Sequence, residues 1–364
     1  MKNTRLAVAS WLVVAFLGVS PSIGARGVVR GASLPDKLSD QEYWALIADS
    51  SEPNGYFQSD NIVGNERFLQ YVVPTLKKYP RGGVYLGVAP DQNFTYIAAL
   101  EPRMAFIVDI RRGNLQEHLM YKALFEMSAD RADFVSRLFS KKRPAGLSAV
   151  STAGELMNAF WNVDTEEATY KTNLQAIEDW LIKKHGFALT PDDVKGIEYV
   201  YGQFYWFGPN ITYQSSTSNG RGGGNMPSYA DLLAATDGGG DSRSYLANEE
   251  NFKFVKALEE KNLLVPVVGD FAGPKALRAV GKYVADHGAT VTAFYTSNVE
   301  QYLFRNGVWR EFYGNVGALP LDERSTFIRS ASGTNLLDPI KALLKDFNDG
   351  RVQTYADVTS RGVR

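Results

Sequence analysis

Short apolar runs separated by polar turns form the first pattern of this chain. Residues 84–86 make one such run and lead into the turn of residues 87–91, and residues 104–108 make a second run that ends on Asp109. Residues 93–100, between them, have a helical composition. Continuous apolar strands that alternate with helices are typical of a parallel sheet covered on both faces. The pattern predicts the opening of a doubly wound α/β domain.

The same alternation returns in the last third of the chain. It predicts three further strands, over residues 264–268, 290–295 and 325–328. A last helix is predicted from Pro339 to just before Gly350. We therefore expect one α/β domain over residues 81–350 with a mainly parallel sheet, followed by a C-terminal tail over residues 351–364.

Helical segments precede this α/β pattern. We expect a helical lead-in over residues 26–80. Its first helix is predicted to start at Ser39, a serine cap with Glu42 three residues later. A second helix over residues 65–78 contains Pro74, which predicts a kink or an early end.

An insertion of about residues 151–247 interrupts the predicted domain. Its first part, residues 151–208, has helical spacing of apolar positions. Between residues 213 and 245 the pattern dissolves into Gly, Ser, Asn and Asp. This composition is typical of a surface loop, and it leaves a plain solvated loop and a lid as two open interpretations.

The first 25 residues have the pattern of a secretory signal peptide. Lys2 and Arg5 precede an apolar run over residues 6–19, Pro21 breaks the run, and small residues follow at 24–25. The run is too short for a comfortable membrane span. We therefore expect an exported protein, periplasmic or extracellular, with no membrane span in the mature chain.

Composition excludes several classes of chemistry. The chain has no cysteine, so disulfides, thiol nucleophiles and zinc–thiolate sites are excluded, and its three histidines show no metal-ligand spacing. With 39 basic and 40 acidic residues, the chain has a net charge of −1, which does not favour binding to nucleic acid. The sequence contains no GxSxG, Walker A or HExxH motif and gives no support for a hydrolase, nucleoside triphosphatase or zinc protease. It assigns no catalytic residue.

Acidic residues follow the predicted strands, where open α/β sheets bind ligands. Asp91, Asp109 and Asp270 stand at three such ends, and Asp109 falls 22 residues after Gly87, close to the spacing of a ribose-binding acid. Helix capping is the alternative role for such acids. Tyr295 stands near a fourth strand end.

Two arginines, Arg111 and Arg112, follow Asp109 directly. They could grip a phosphate or carboxylate, or form surface ion pairs. A small-molecule ligand is therefore the expected partner.

The order of these elements resembles the class I S-adenosylmethionine-dependent methyltransferases, a Rossmann-like fold, over roughly residues 80–330. The family's first loop runs acid-x-Gly-x-Gly-x-Gly; this chain keeps Gly87 but has Ala89 and Asp91 at the next two glycine positions. The resemblance implies an S-adenosylmethionine pocket formed by Gly87, Ala89, Asp91, Asp109 and Asp270.

The segment at residues 269–274 stands in the place of the methyl-acceptor motif but lacks its usual residues. Together with residues 106–112 it is similar to an uncharacterised family of exported bacterial proteins.

Three interpretations of function remain open. The first is a methyltransferase-like enzyme, which the retained Asp109 favours. The second is an exported binding protein or pseudoenzyme, which the lost glycines and the signal peptide favour. The third is a carbohydrate-binding surface protein, in which a cluster of aromatic residues stacks on sugars, although so dense a cluster is more typical of a core. The cluster comprises Tyr201, Phe204, Tyr205, Trp206 and Phe207.

Export gives the first testable prediction. Because signal peptides are removed on secretion, intact-mass analysis of the exported protein is expected to show the loss of about 25 residues. Recovery of the uncleaved chain from the cytoplasm alone would contradict the prediction.

Overall fold

Six strands form a sheet in the computed structural model, which describes residues 33–216, 226–331 and 333–362. In chain order they are β1 (Val84–Gly87), β2 (Met104–Asp109), β3 (Leu264–Val268), β4 (Val291–Ser297), β5 (Thr326–Ala331) and β6 (Thr334–Pro339). Their order in the sheet is β3-β2-β1-β4-β5-β6. All neighbouring pairs are parallel except β5–β6, which is antiparallel. The predicted α/β class and mainly parallel sheet are confirmed.

Helices make up most of the remaining regular structure. The α-helices of the described residues are α1 (Asp40–Ser50), α2 (Val73–Leu76), α3 (Gln92–Leu100), α4 (Arg112–Met127), α5 (Arg131–Phe139), α6 (Ala153–Trp161), α7 (Glu167–Asp179), α8 (Pro191–Phe207), α9 (Tyr229–Ala234), α10 (Glu249–Glu260), α11 (Ala276–Asp286), α12 (Val299–Asn306), α13 (Trp309–Gly317), α14 (Ile340–Asn348) and α15 (Tyr355–Thr359). Short 3-10 helices cover Leu69–Val72 and Gly208–Asn210, and a π-helical turn covers Trp180–Lys184.

The first three strands along the chain lie entirely within the core. Every residue of β1, β2 and β3 is buried, which explains why these strands are continuous apolar runs rather than alternating ones. The apolar face of α11 places Leu277 and Val280 in the same core. Burial on both sides of the sheet is therefore what makes these strands recognisable from their sequence.

Three elements differ from the sequence-based expectations. The helix expected over residues 65–78 is a 3-10 helix followed by the four-residue α2, with Pro74 in its first turn. The predicted C-terminal tail contains the short helix α15. Strand β6 was not predicted, because its buried polar residues Asn335 and Asp338 interrupt the apolar pattern by which a buried strand is recognised.

The signal-peptide prediction concerns residues 1–25, which lie outside the described residues. The chain divides into the units Met1–Arg30 and Gly31–Arg364, and the fold given above is that of the second unit. In the part of the chain that the structure describes, no helix combines the length and the apolar character needed to cross a membrane.

One side chain holds the turn between β1 and α3. Asn93 is fully buried, and its Oδ1 accepts a hydrogen bond of 2.8 Å from the Tyr85 hydroxyl. A Cβ on Gly87 would lie 1.9 Å from the same Oδ1, so glycine is required there. The Asn93 Nδ2 donates to three successive backbone carbonyl groups of the turn, those of Val88, Ala89 and Pro90, at 2.8, 3.0 and 2.7 Å.

We expect Asn93→Ala to lower the free energy of unfolding by about 2 kcal/mol or more, because it leaves buried carbonyl groups without donors. Urea denaturation followed by circular dichroism measures the change. Asn158→Ala, at an exposed position of α6, is the matched control and should be close to neutral. Equal effects of the two substitutions would show that the turn does not depend on Asn93.

Candidate functional site

A cleft of about 480 Å³ opens at the carboxyl ends of the four parallel strands β1, β2, β3 and β4. Ala89 follows β1, Asp109 ends β2, Asp270 follows β3 and Ser297 ends β4, and all four line this cleft. The strand order reverses between β1 and β4, which is where open α/β sheets bind their ligands. The volume is in the range of pockets for small organic molecules.

The lining is polar and aromatic rather than strongly charged. Its charged residues are Asp109, Arg111, Asp270 and Arg305, which are balanced in sign. Side-chain amides and aromatic rings supply most of the rest, from Gln58, Asn61, Asn65, Gln92, Asn298, Asn306, Tyr56, Phe57, Tyr213, Phe271 and Tyr302. Such a surface suits a neutral or zwitterionic ligand with a planar or hydroxylated part.

A non-helical strap covers one side of the cleft. It consists of residues 52–66, which the sequence assigned to the helical lead-in. Its backbone is tied to two strand ends, since the Glu52 N–H donates to the Val268 carbonyl and the Gly55 N–H to the Ile110 carbonyl, each at 2.8 Å. The strap therefore contributes lining residues that sequence reasoning missed, with Tyr56 left 84% exposed at the cleft.

Asp109, the predicted ribose acid, is paired with its neighbour. Its Oδ1 accepts the backbone N–H of Arg111 at 2.9 Å, and its Oδ2 accepts from the Arg111 guanidinium at 3.2 Å. The same guanidinium donates to the backbone carbonyl of Asp60 in the strap. Asp109 and Arg111 thus form one nearly buried unit on the cleft wall.

Asp270 lines the cleft, and the backbone N–H groups at the start of the next helix, α11, already have an acceptor. The Glu52 carboxylate accepts three backbone N–H groups there, from Asp270, Lys275 and Ala276, at 3.0, 2.8 and 2.9 Å. The strap therefore fills the anion position at the start of α11. Asp270 itself accepts the Ala272 N–H at 2.9 Å within the same turn.

Of the predicted residues in the loop after β1, some line the cleft and others lie in the interior. Ala89 lines the cleft and has φ +69°, a left-handed conformation that favours glycine. Gly87 and Asp91 are not among the lining residues. Asp91 is buried, its Oδ1 has no hydrogen-bond partner within the described ranges, and burial raises the pKa of its carboxyl group to about 7.

Two further predicted residues lie outside the lining. Arg112 makes a bidentate ion pair with Asp193 of α8, at 2.6 and 2.8 Å, and its role is structural. Tyr295 is fully buried, and its hydroxyl donates to Glu66 at 2.6 Å and accepts from Gln92 at 2.7 Å. Tyr295 therefore supports the cleft from behind.

The buried carboxylate of Glu66 is the main site feature that sequence reasoning missed. It accepts hydrogen bonds from Tyr295, from the Ser297 hydroxyl and from the Asn335 amide, each at 2.6 Å. Burial raises the pKa of Glu66, and these donors oppose the rise. Glu66 and Ser297 are 231 residues apart, so no local motif could have paired them.

A second group of buried polar residues lies behind the first loop. The His118 Nε2 is 3.0 Å from the Ala89 carbonyl oxygen, and burial lowers the pKa of this imidazole to about 4. Burial also raises the pKa of Glu117 well above its ordinary value. Among residues 33–216, 226–331 and 333–362, no His, Asp and Glu side chains form a group of three that could hold a metal ion.

Asp91 gives a pH-dependent prediction. Its carboxyl pKa is raised from 3.8 to about 7 in the folded protein, so the folded state loses stability as pH rises from about 4 through 7. At about 1.4 kcal/mol per pKa unit, the loss is on the order of 4 kcal/mol. Asp91→Asn, which cannot ionise, should therefore exceed the wild type in stability at pH 8 and match it more closely at pH 4.

Urea denaturation at pH 4 and pH 8 measures both differences. Asn158→Ala is the control, because it removes no ionisable group from an exposed position and should have the same effect at both pH values. A difference for Asp91→Asn that does not vary with pH would contradict the assignment of a buried, unpaired carboxylate.

Comparison with known proteins gives a family and no activity. A search of curated proteins finds no match for this chain. Residues 61–356 match the sequence model of a family described as a domain of unknown function (DUF7790). The match includes the end of the strap and all six strands of the sheet. Because it covers well over half of the chain, the protein belongs to the DUF7790 family.

Proposed function

We propose that this protein binds a small ligand of the nucleoside type in the cleft, as the resemblance to S-adenosylmethionine-dependent methyltransferases implies. The observation that carries the proposal is the position of the cleft at the reversal of strand order, with Asp109 at the end of β2. The order β3-β2-β1-β4-β5 agrees with that of Rossmann-type sheets, and β6 departs from it in direction.

Asp109 retains the capacity that a ribose diol needs. Its two hydrogen bonds from Arg111 occupy one position on each carboxylate oxygen. A carboxylate has about four acceptor positions, so each oxygen can accept one further bond. Two adjacent hydroxyl groups of a ligand would match these two positions. The pairing with Arg111 therefore orients the carboxylate and leaves it able to bind.

The first loop supports the close approach of a ligand. Ala89 has a left-handed conformation, which favours glycine, and glycine is the residue that the methyltransferase family has at this position. Gln92, at the start of α3, lines the cleft, and its Oε1 is buried with no hydrogen-bond partner in the described part of the chain. This oxygen packs against Gly64 of the strap, where an added Cβ would lie 2.2 Å from it, so Gln92 shapes the cleft wall.

S-adenosylmethionine is the first candidate ligand. When bound it would supply an electrophilic methyl group, Asp109 would hold its ribose, and Asp270 would accept from its amine. We propose a secreted protein, because residues 1–25 have the signal-peptide pattern. S-adenosylmethionine is made in the cytoplasm, and this favours the second candidate, a binding protein or pseudoenzyme that retains the pocket without methyl transfer.

The carbohydrate alternative has less support from the structure. Tyr201 and Phe204 of the aromatic cluster are fully buried, and Tyr205 stacks on Tyr170 with ring centroids 4.4 Å apart. Trp206 alone of the cluster is largely exposed, at 75%. One exposed ring on α8, outside the cleft lining, is not a platform for a sugar chain.

Calorimetric titration tests the proposal with S-adenosylhomocysteine and adenosine as probes. We expect the wild type to bind at least one of them, and Asp109→Ala to weaken binding about tenfold or more, since charge-assisted hydrogen bonds contribute about 1.5–3 kcal/mol each. Asp109→Ala should also lower the melting temperature, because it leaves the Arg111 guanidinium without its carboxylate. The titration is therefore made well below the melting temperature of the variant.

Asp192→Asn provides the control for removing a carboxylate away from the cleft, and it should bind as the wild type does. The absence of heat from the wild type at millimolar concentrations of both probes would reject a nucleoside pocket. Binding without methyl transfer to any acceptor tested would favour the binding-protein alternative.

A further inference from the structure

Ser297 occupies a strained position where strand β4 passes into helix α12. Its φ is +51°, a left-handed conformation that is uncommon for a residue with a side chain. The pairing of β4 with β5 shifts its register between Tyr295 and Ser297, so the strand is distorted at this point. Strain of this kind, on the order of 1–3 kcal/mol, collects at functional sites. Ser297 also lines the cleft.

The hydroxyl of Ser297 is oriented by a buried carboxylate. Its Oγ lies 2.6 Å from Oε1 of Glu66, a residue only 6% exposed. Tyr295 donates to the same Oε1 and Asn335 to Oε2, so the carboxylate is fixed from two other elements. Glu66 therefore has both the position and the rigidity of a base for the Ser297 proton.

Helix α12 begins at Val299, two residues after Ser297, and in the described part of the chain no side chain of its N-cap residue closes its first turn. The first N–H groups of a helix have no intrahelical acceptors. Asn298, at the N-cap position, makes no side-chain capping bond, and the carboxylate of Glu300 in the first turn bonds Arg329 and Tyr313 instead. By contrast, Glu52 fills the corresponding position of α11.

We propose that Ser297 is a nucleophile for acyl transfer, with Glu66 as its general base and the N-terminal turn of α12 as the binding site for the oxyanion. This function goes beyond nucleoside binding and does not depend on it. The substrate class is a small ester whose acyl carbon reaches Ser297 in a cleft lined by amides and aromatic rings.

The reaction balances with water as the second substrate. The Ser297 Oγ forms a bond to the ester carbonyl carbon while its proton passes to Glu66. The carbonyl π electrons move to the oxygen, which faces the N–H groups of α12. Collapse breaks the bond to the alcohol oxygen, and Glu66 returns the proton to this leaving group. Water then attacks the acyl-serine with Glu66 again as base, which releases the carboxylic acid and restores Ser297.

A purely structural role for Ser297 makes different predictions. In that case the hydroxyl only satisfies the buried Glu66, and any loss of reactivity in a variant would follow from lost stability. Substitution by glycine separates the two roles, because glycine adopts φ +51° without strain and leaves the backbone path unchanged. Ser297→Gly should therefore remain folded while losing the nucleophile.

The test is covalent labelling of the purified protein with a fluorophosphonate, which exchanges its fluoride for the serine oxygen. Intact-mass and peptide analysis should show one adduct, on Ser297, in the wild type and none in Ser297→Gly or Ser297→Ala. Ser148→Ala, at an exposed position, is the control and should label as the wild type does. An unlabelled wild type, or an adduct that persists in both Ser297 variants, would overturn the proposal.

Glu66→Gln tests the base independently of the nucleophile. General-base catalysis contributes about 10²–10⁴-fold, so the labelling rate should fall at least about 100-fold. The wild-type rate should rise with pH as Glu66 loses its proton, with an inflection above the ordinary glutamate value, because burial raises its pKa. A rate in a folded Glu66→Gln variant equal to that of the wild type would exclude Glu66 as the base.

Discussion

The buried carboxylate of Glu66 is the interaction on which the cleft depends. It joins the end of the strap to β4 through Tyr295 and Ser297 and to β6 through Asn335, with three hydrogen bonds of 2.6 Å. A charge inside a protein is tolerated only with such partners, and each hydrogen bond to a charged group contributes about 1.5–3 kcal/mol. This requirement explains why the polar side chains of Tyr295, Ser297 and Asn335 are directed at Glu66 rather than at solvent.

Three of the helices that begin beside the cleft, α3, α11 and α12, differ in how their first turns are satisfied. Glu52 caps α11 from the strap, so this helix cannot hold an anionic ligand. Asp91 is the N-cap residue of α3 and makes no side-chain capping bond. Asn298, the N-cap residue of α12, makes none either. Positive ends of helix dipoles are therefore left open on the β1 and β4 sides of the cleft and closed on the β3 side.

Sequence reasoning reached the parts of the fold that depend on local pattern. The continuous apolar runs predicted β1 to β4 to within two residues, and the same reasoning put Asp109 and Asp270 at strand ends, where the structure places them on one cleft. It missed β6, because the partners that make Asn335 and Asp338 tolerable inside the protein are far away in sequence. The strap was missed for the same reason, since its fixed path comes from hydrogen bonds to two strand ends.

The separation between Glu66 and its partners has a consequence for how the protein reaches its folded state. The two ends of these hydrogen bonds are 231 and 269 residues apart, so the cleft closes only when the last strands have joined the sheet. Contacts of such long range are entropically demanding and form slowly. An incomplete chain would carry its aspartates at the strand ends and still lack a formed cleft. Assembly of the cleft is therefore coupled to the folding of β4 and β6.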